Sequence, residues 1–159
     1  MMATVSLKDI LLEAAKDVFE TMAFMALEES SSETAWQEED CLLGSVTFKG
    51  NLEGCLSICC GIPCACAIAA NMMGMESQRG LGETDVQDNM GELVDMLMSS
   101  VKSRIQDHVG ALDVSIPSVV YGRRFKTTAG EGASHVLINA NLEGRYPAAF
   151  SLLCCQTVV

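Results

Sequence analysis

The stretch whose reading decides the fold is Thr84-Asp-Val-Gln-Asp88-Asn-Met-Gly-Glu92-Leu-Val-Asp95-Met-Leu-Met-Ser99-Ser-Val-Lys102-Ser-Arg-Ile105-Gln-Asp-His108. At about 100° per residue, Met90, Leu93, Val94, Leu97, Val101 and Ile105 gather on one side of a helix. Asp88, Glu92, Asp95, Ser99 and Lys102 gather on the opposite side, within about 40° of a common line. The apolar stripe docks the helix on a core. The polar stripe, with carboxylates at i, i+4 and i+7, faces solvent or a partner. It carries costs: like charges one turn apart repel, and Gly91 in a helix interior costs about 1 kcal/mol relative to Ala. Those costs suit a helix shaped for close approach. Asp85 and Asp88 near the helix start offset part of them through the dipole.

Working outward, Thr84 with Gln87 three residues on predicts the helix cap, and Gly110 its stop. Upstream, Pro63 suits the first turn of a shorter helix ending at Gly74, and 75–83 is a connection. Before it, 41–49 and 52–60 read as a hairpin turning at Gly50-Asn51. The spacing of Leu7, Ile10, Leu11, Ala14, Val18, Met22 and Met25 predicts an opening helix over 6–28, capped by Ser6 with Asp9. The polar stretch 28–40, with Trp36, reads as a loop. Downstream, a strand is predicted over 112–121, a Gly-rich loop at 127–133, and a last hairpin of 134–142 and 145–157. Asn-Leu-Glu-Gly recurs at 51–54 and 141–144, which fits either a duplication or shared turn chemistry. Strand pairs with short turns and separate helices predict an α+β fold, an antiparallel sheet with its helices on one side, as a single domain over 1–159.

Composition bounds the function. The 159 residues carry ten Lys and Arg against twenty-one Asp and Glu, a net charge of −11, which disfavours nucleic acid. Hydrophobic residues at 49% and charged residues at 19% exclude a disordered chain. There is no 18-residue apolar run to insert in a membrane. Asp9, Glu13 and Asp17 break up the apolar residues where a signal peptide would be unbroken, so a cytoplasmic location with reduced cysteines is expected. Of the eight cysteines, the dense run Cys59-Cys60-Gly-Ile-Pro-Cys64-Ala-Cys66 has no Cys-x-x-Cys pair and straddles a strand end and a helix start. Core packing is the expected role, no metal site is expected, and a thiol or metal module is the alternative. The Gly-rich loop lacks the phosphate-cradle pattern. Arg123, Arg124 and Lys126 form the densest basic patch, a solvated turn or a surface for an acidic partner.

The run from Asp88 through Glu92 and Asp95 to Ser99 and Lys102, with the strand Ile116-Pro117-Ser-Val-Val-Tyr-Gly122, resembles the CheC/CheX chemotaxis phosphatases. With one such signature, CheX is the nearer type. Asp88 and Glu92 match the first two motif positions, and Asp95 stands where the family has Asn. No Glu-x-x-Asn occurs in the first helix, where Glu13 precedes Lys16 and Glu20 precedes Ala23. The resemblance implies a catalytic pair, Glu92 and Asp95, with Asp88, Ser99 and Lys102 as partner-binding neighbours. In the family the Glu anchors a phosphorylated CheY-type receiver of two-component signalling, and the Asn orients water toward its aspartyl phosphate. The receiver brings its own Mg²⁺, so the chain needs no cofactor. The resemblance also implies a homodimer paired through the sheets. Asp at 95 leaves a second reading, a domain that binds a receiver without turnover.

Overall fold

The computed structural model describes residues 6–31, 39–125 and 130–156. The expectations placed on Trp36, Lys126, residues 127–129 and the end of the last predicted strand at 157 lie outside them.

Ser6 opens α1 (Leu7–Met22), its hydroxyl accepting from the Asp9 N–H at 3.3 Å, as the cap spacing predicts. Ile10, Leu11, Ala14, Ala15, Val18 and Phe19 form its buried face. The helix does not run to 28. It ends at Met22, and Leu27–Glu29 form strand β1. The break lies at Phe24, whose φ of +55° leaves the helical region while the Met25 N–H donates to the Phe19 carbonyl at 2.9 Å. Met25 is still buried, so a chain reversal satisfies the apolar spacing that suggested more helix.

The first hairpin is β2 (Cys41–Gly50) and β3 (Leu52–Gly61), followed at once by α2 (Ile62–Met72) with Pro63 in its first turn. Gly74, at φ +68°, lets the Met75 N–H reach the Ala70 carbonyl at 2.9 Å, the 6→1 bond that closes many helices. Then come α3 (Glu83–Val109), β4 (Leu112–Val114), β5 (Ser118–Gly122), β6 (Ser134–Leu142) and β7 (Tyr146–Gln156).

All the strands pair antiparallel in one sheet of order β1-β6-β7-β3-β2, with β4 and β5 both on the outer side of β2. The first half of the chain lends β1 to the second hairpin, and the second half lends β4 and β5 to the first. β3 and β7 join the hairpins at the centre, so the two halves share one sheet. Alternation assigns the faces. Leu42, Val46, Leu56, Ile58, Cys60, Phe150 and Leu152 join the helix residues in the main core, where Phe19 meets Phe150 edge to face at 5.5 Å. On the other face Cys41, Cys59 and Ala149 make a separate small cluster with Leu43 and Phe125, and no helix residue joins it.

The strand predicted over 112–121 is interrupted. Phe48 pairs with Val114 and Ser45 with Ser118, so Val46 and Thr47 face three residues, Ser115, Ile116 and Pro117. This is a β-bulge, placed on the sheet edge where Pro's missing N–H does least harm. The Ser115 N–H donates to the Thr47 carbonyl at 2.9 Å and the Ser115 hydroxyl accepts from the Thr47 N–H at 2.9 Å.

The two Asn-Leu-Glu-Gly copies do different jobs. Asn51 donates its amide to the Val109 carbonyl at the end of α3, 3.0 Å away, and Gly54 lies inside β3. Asn141 instead pairs within the sheet with Glu28, while Glu143 and Gly144 make the β6–β7 turn at φ +56° and +61°.

Candidate functional site

The long α3 is built to be held on one side only. Its cap lies two residues before the predicted Thr84. Gly82 occupies the cap position, and its N–H donates to the Asp85 carboxylate at 3.0 Å, replacing the expected Thr84–Gln87 pair. At the other end Gly110, at φ +81°, returns its N–H to the Gln106 carbonyl, and the Asn51 amide takes the last carbonyl. Between these ends Met90, Leu93, Val94, Leu97, Val101 and Ile105 are all buried, as the periodicity predicts.

The opposite stripe is also where the spacing put it. Asp88, Glu92 and Ser99 are exposed, and Asp95 and Lys102 are half-buried along its flank. At a rise of about 1.5 Å per residue the row is about 21 Å long. Among the described residues the ion pairs are Lys8–Glu29 and Arg123–Asp40, and neither involves Asp88, Glu92 or Asp95. Asn89 does not join the row: its amide donates to the Asp85 carbonyl of its own helix at 2.8 Å. Glu92 and Asp95 sit three residues apart and are therefore neighbours on the helix surface, able to enter one concave site side by side.

Gly91 has an intramolecular reason. It is buried against the bulge, and a Cβ there would lie 3.4 Å from the Pro117 ring and 3.8 Å from Val119. The close approach inferred from this glycine is thus made by the chain's own edge strand. It also places Pro117, the strand residue picked out by its resemblance, beside the Asp88–Asp95 flank. The chemistry here is that of carboxylates: they accept hydrogen bonds, attract a cation, and hold a water. Among the described residues no group of three or more His, Cys, Asp or Glu is arranged to hold a metal.

The cysteine run disperses. Cys59 lies in the small cluster on the open face, whereas Cys60 and Cys64 lie in the main core. All eight cysteines are free thiols. Burial pushes the Cys59 thiol up to about 12, with Cys41 beside it adding to the shift. The hydrogen bond with Cys64, then burial, pushes the Cys60 thiol well up. Such thiols are poor nucleophiles and poor ligands, which fits packing. In the basic patch, Arg123 already bonds Asp40 at 2.6 Å. Sequence reasoning missed a cleft of about 560 Å³ under the start of α3, lined by Asp40, Ile62, Cys66, Leu81, Val86 and Tyr121. It is assembled from four separate segments, so no local pattern announces it. Neither Glu92 nor Asp95 lines it.

Residues 42–141 match the model of a family described as chemotaxis phosphatase CheX. The chain belongs to this family. No curated protein matches the sequence. Solved structures share the fold. CheX from Vibrio vulnificus is 23% identical with a TM-score of 0.76, over 93% of this chain and 98% of that one. A CheC-like protein from Shewanella sp. PV-4 is 21% identical with a TM-score of 0.76, over 94% and 97%. The CheX–CheY–BeF3–Mg²⁺ complex from Borrelia burgdorferi matches at 15% identity with a TM-score of 0.74, over 96% and 99%. The α+β reading, antiparallel sheet with its helices packed on one face, is therefore that of CheX proteins. No helix among the described residues is long and apolar enough to cross a membrane.

Proposed function

We propose that this CheX-family chain engages the phosphorylated receiver domain of a CheY-type response regulator through the exposed face of α3, and that Glu92 and Asp95 act on its aspartyl phosphate. The observation that carries the reading is the pair itself, two carboxylates side by side and in no ion pair of the described residues, on a helix anchored along its whole opposite face. The family match and the likeness to a CheX bound to CheY support the partner class.

In this reading Glu92 anchors the complex by pairing with a receiver cation, and Asp95 holds the attacking water, with Asp88, Ser99 and Lys102 around them in contact with the partner. Phosphoryl transfer depends chiefly on positioning and on charge at the reacting oxygens, and the receiver supplies the Mg²⁺. A second reading, binding without turnover, is favoured by one residue. Asp95 brings a negative charge toward an anionic phosphoryl group, a repulsion of about 4 kcal/mol at about 4 Å and an effective dielectric near 20. A cytoplasmic homodimer belongs to the same proposal. Its support in this chain is the helix-free sheet face with Leu43, Cys59 and Ala149.

The test is the loss of phosphoryl label from a phosphorylated receiver, alone, with this protein, and with Glu92→Ala. Acceleration that Glu92→Ala removes supports the phosphatase. Binding without acceleration selects the second reading, and absence of both rejects the proposal.

A further inference from the structure

An acidic, polar row is a poor protein interface by itself, because stable interfaces have an apolar centre inside a polar rim. The stripe Asp88, Glu92, Asp95, Ser99, Lys102 contains no apolar side chain. An exposed one stands on the neighbouring bulge. Ile116 is 87% exposed, and no other large apolar side chain of the described residues is so open. Water-facing isoleucine in a loop free to move would mean little, but this position is held. Ser115 bonds Thr47 in both directions, its hydroxyl also donates to the Ile116 carbonyl at 3.1 Å, and the next residue is Pro117. The Pro117 ring lies against Gly91, the residue before Glu92. Ile116 and Glu92 are thus one residue to either side of the same contact. Around the helix, Gly91 is on the flank that also carries Asp95 and Asp88.

We propose that Ile116 is the apolar anchor of the receiver interface, seated in an apolar depression of the receiver beside its phosphorylated aspartate while the α3 carboxylates enter the phosphorylation site. The bulge then has a function: it turns a β-branched side chain out of the sheet edge and fixes it next to the chemistry. Gly91 lets α3 and the bulge close together so that anchor and carboxylates act as one rigid surface. The inference rests on the receiver-binding reading above and adds a specificity-determining residue to it.

The experiment titrates the full chain with a CheY-type receiver loaded with beryllofluoride and Mg²⁺. It compares wild type, Ile116→Ala, Ile116→Leu, and Phe24→Ala as a control. Phe24 is 65% exposed and lines a cleft beside β1, on the sheet edge opposite β5. Ile116→Ala is expected to weaken binding roughly tenfold, the cost of truncating an interface hot spot, with Ile116→Leu near wild type and Phe24→Ala unchanged. In dephosphorylation the Ile116→Ala loss is expected in KM, with kcat kept at saturating receiver. Ile116 is exposed, so the melting temperature stays that of wild type. If wild type binds and Ile116→Ala binds within twofold of it, or if Phe24→Ala weakens binding equally, the anchor is overturned and the receiver reading stands. If wild type binds no receiver, the reading itself falls and takes the anchor with it.

Discussion

Under the proposed function, position 95 is where one side chain separates turnover from binding alone. An amide both donates to and accepts from water, whereas an ionised carboxylate only accepts and carries its charge toward the phosphoryl oxygens. Asp95→Asn removes that repulsion at nearly constant volume. It is expected to speed receiver dephosphorylation by about tenfold or more, measured as the decay of phosphoreceiver at saturating protein. A rate unchanged or lowered by Asn would mean that Asp95 serves as a base for the water. At the same scale, Cys59 sets a limit on alkaline stability. Its folded thiol, raised chiefly by burial, loses its proton at about 12, against the ordinary 9.0. Below about pH 9 the thiol is protonated in both states and its contribution to stability is fully present. Between those values the unfolded chain releases the proton while the folded chain keeps it, so stability falls as pH rises. Urea unfolding at about pH 8 and about pH 10.5 is expected to give a lower unfolding free energy at the higher pH.

The elements show what local sequence specifies and what it omits. Ser6 caps α1 through the Asp9 N–H, and Ser6→Ala is expected to cost about 1 kcal/mol in denaturant unfolding. Gly54 is a sharper case. A Cβ there would lie 1.9 Å from the Leu153 carbonyl oxygen, backbone that belongs to the central β3–β7 pairing and cannot yield cheaply. Gly54→Ala is expected to destabilise by about 3 kcal/mol, seen as a lowered urea midpoint at unchanged slope. The buried and exposed faces of α3 were legible because a 27-residue helix repeats its pattern many times over. The end of α1 was not. Ala-Phe-Met-Ala-Leu is apolar with no Gly or Pro, and a non-glycine residue at positive φ leaves no sequence mark. The bulge escaped likewise, since nothing in 112–121 marks an extra residue between the pairings of Val114 and Ser118. The cap of α3 was misplaced by two residues because both Thr84–Gln87 and Gly82–Asp85 offer the spacing, and the chain uses the second.

For the whole molecule, the hairpins and the α+β class were readable from turn residues and alternation. The exchange of short strands between the halves was not, because β1 is three residues long and finds β6 more than a hundred positions later. The exposed row on α3 was legible as a face and Pro117 as part of a strand with a family resemblance, whereas the contact of Pro117 with Gly91 appears only in the fold. That Ile116 stands out beside it required the register of three strands. The chain carries −11, and neither ion pair of the described residues involves Asp88, Glu92 or Asp95, so under the proposed function the partner surface is expected to be basic where it meets α3. Receiver binding should therefore weaken as salt is raised from about 0.05 to about 0.3 M, measured by titration at each concentration. α1 offers a competing surface, since Lys8, Glu13, Lys16 and Glu20 are also exposed. The most direct measurement is to follow the backbone amide resonances of the isotope-labelled protein during titration with a beryllofluoride-loaded receiver. The perturbed amides are expected to cluster at Asp88, Glu92, Asp95 and Ser99 and at Ser115 and Ile116 of the bulge. Perturbations gathered on α1 or on the open sheet face, with α3 silent, would contradict it.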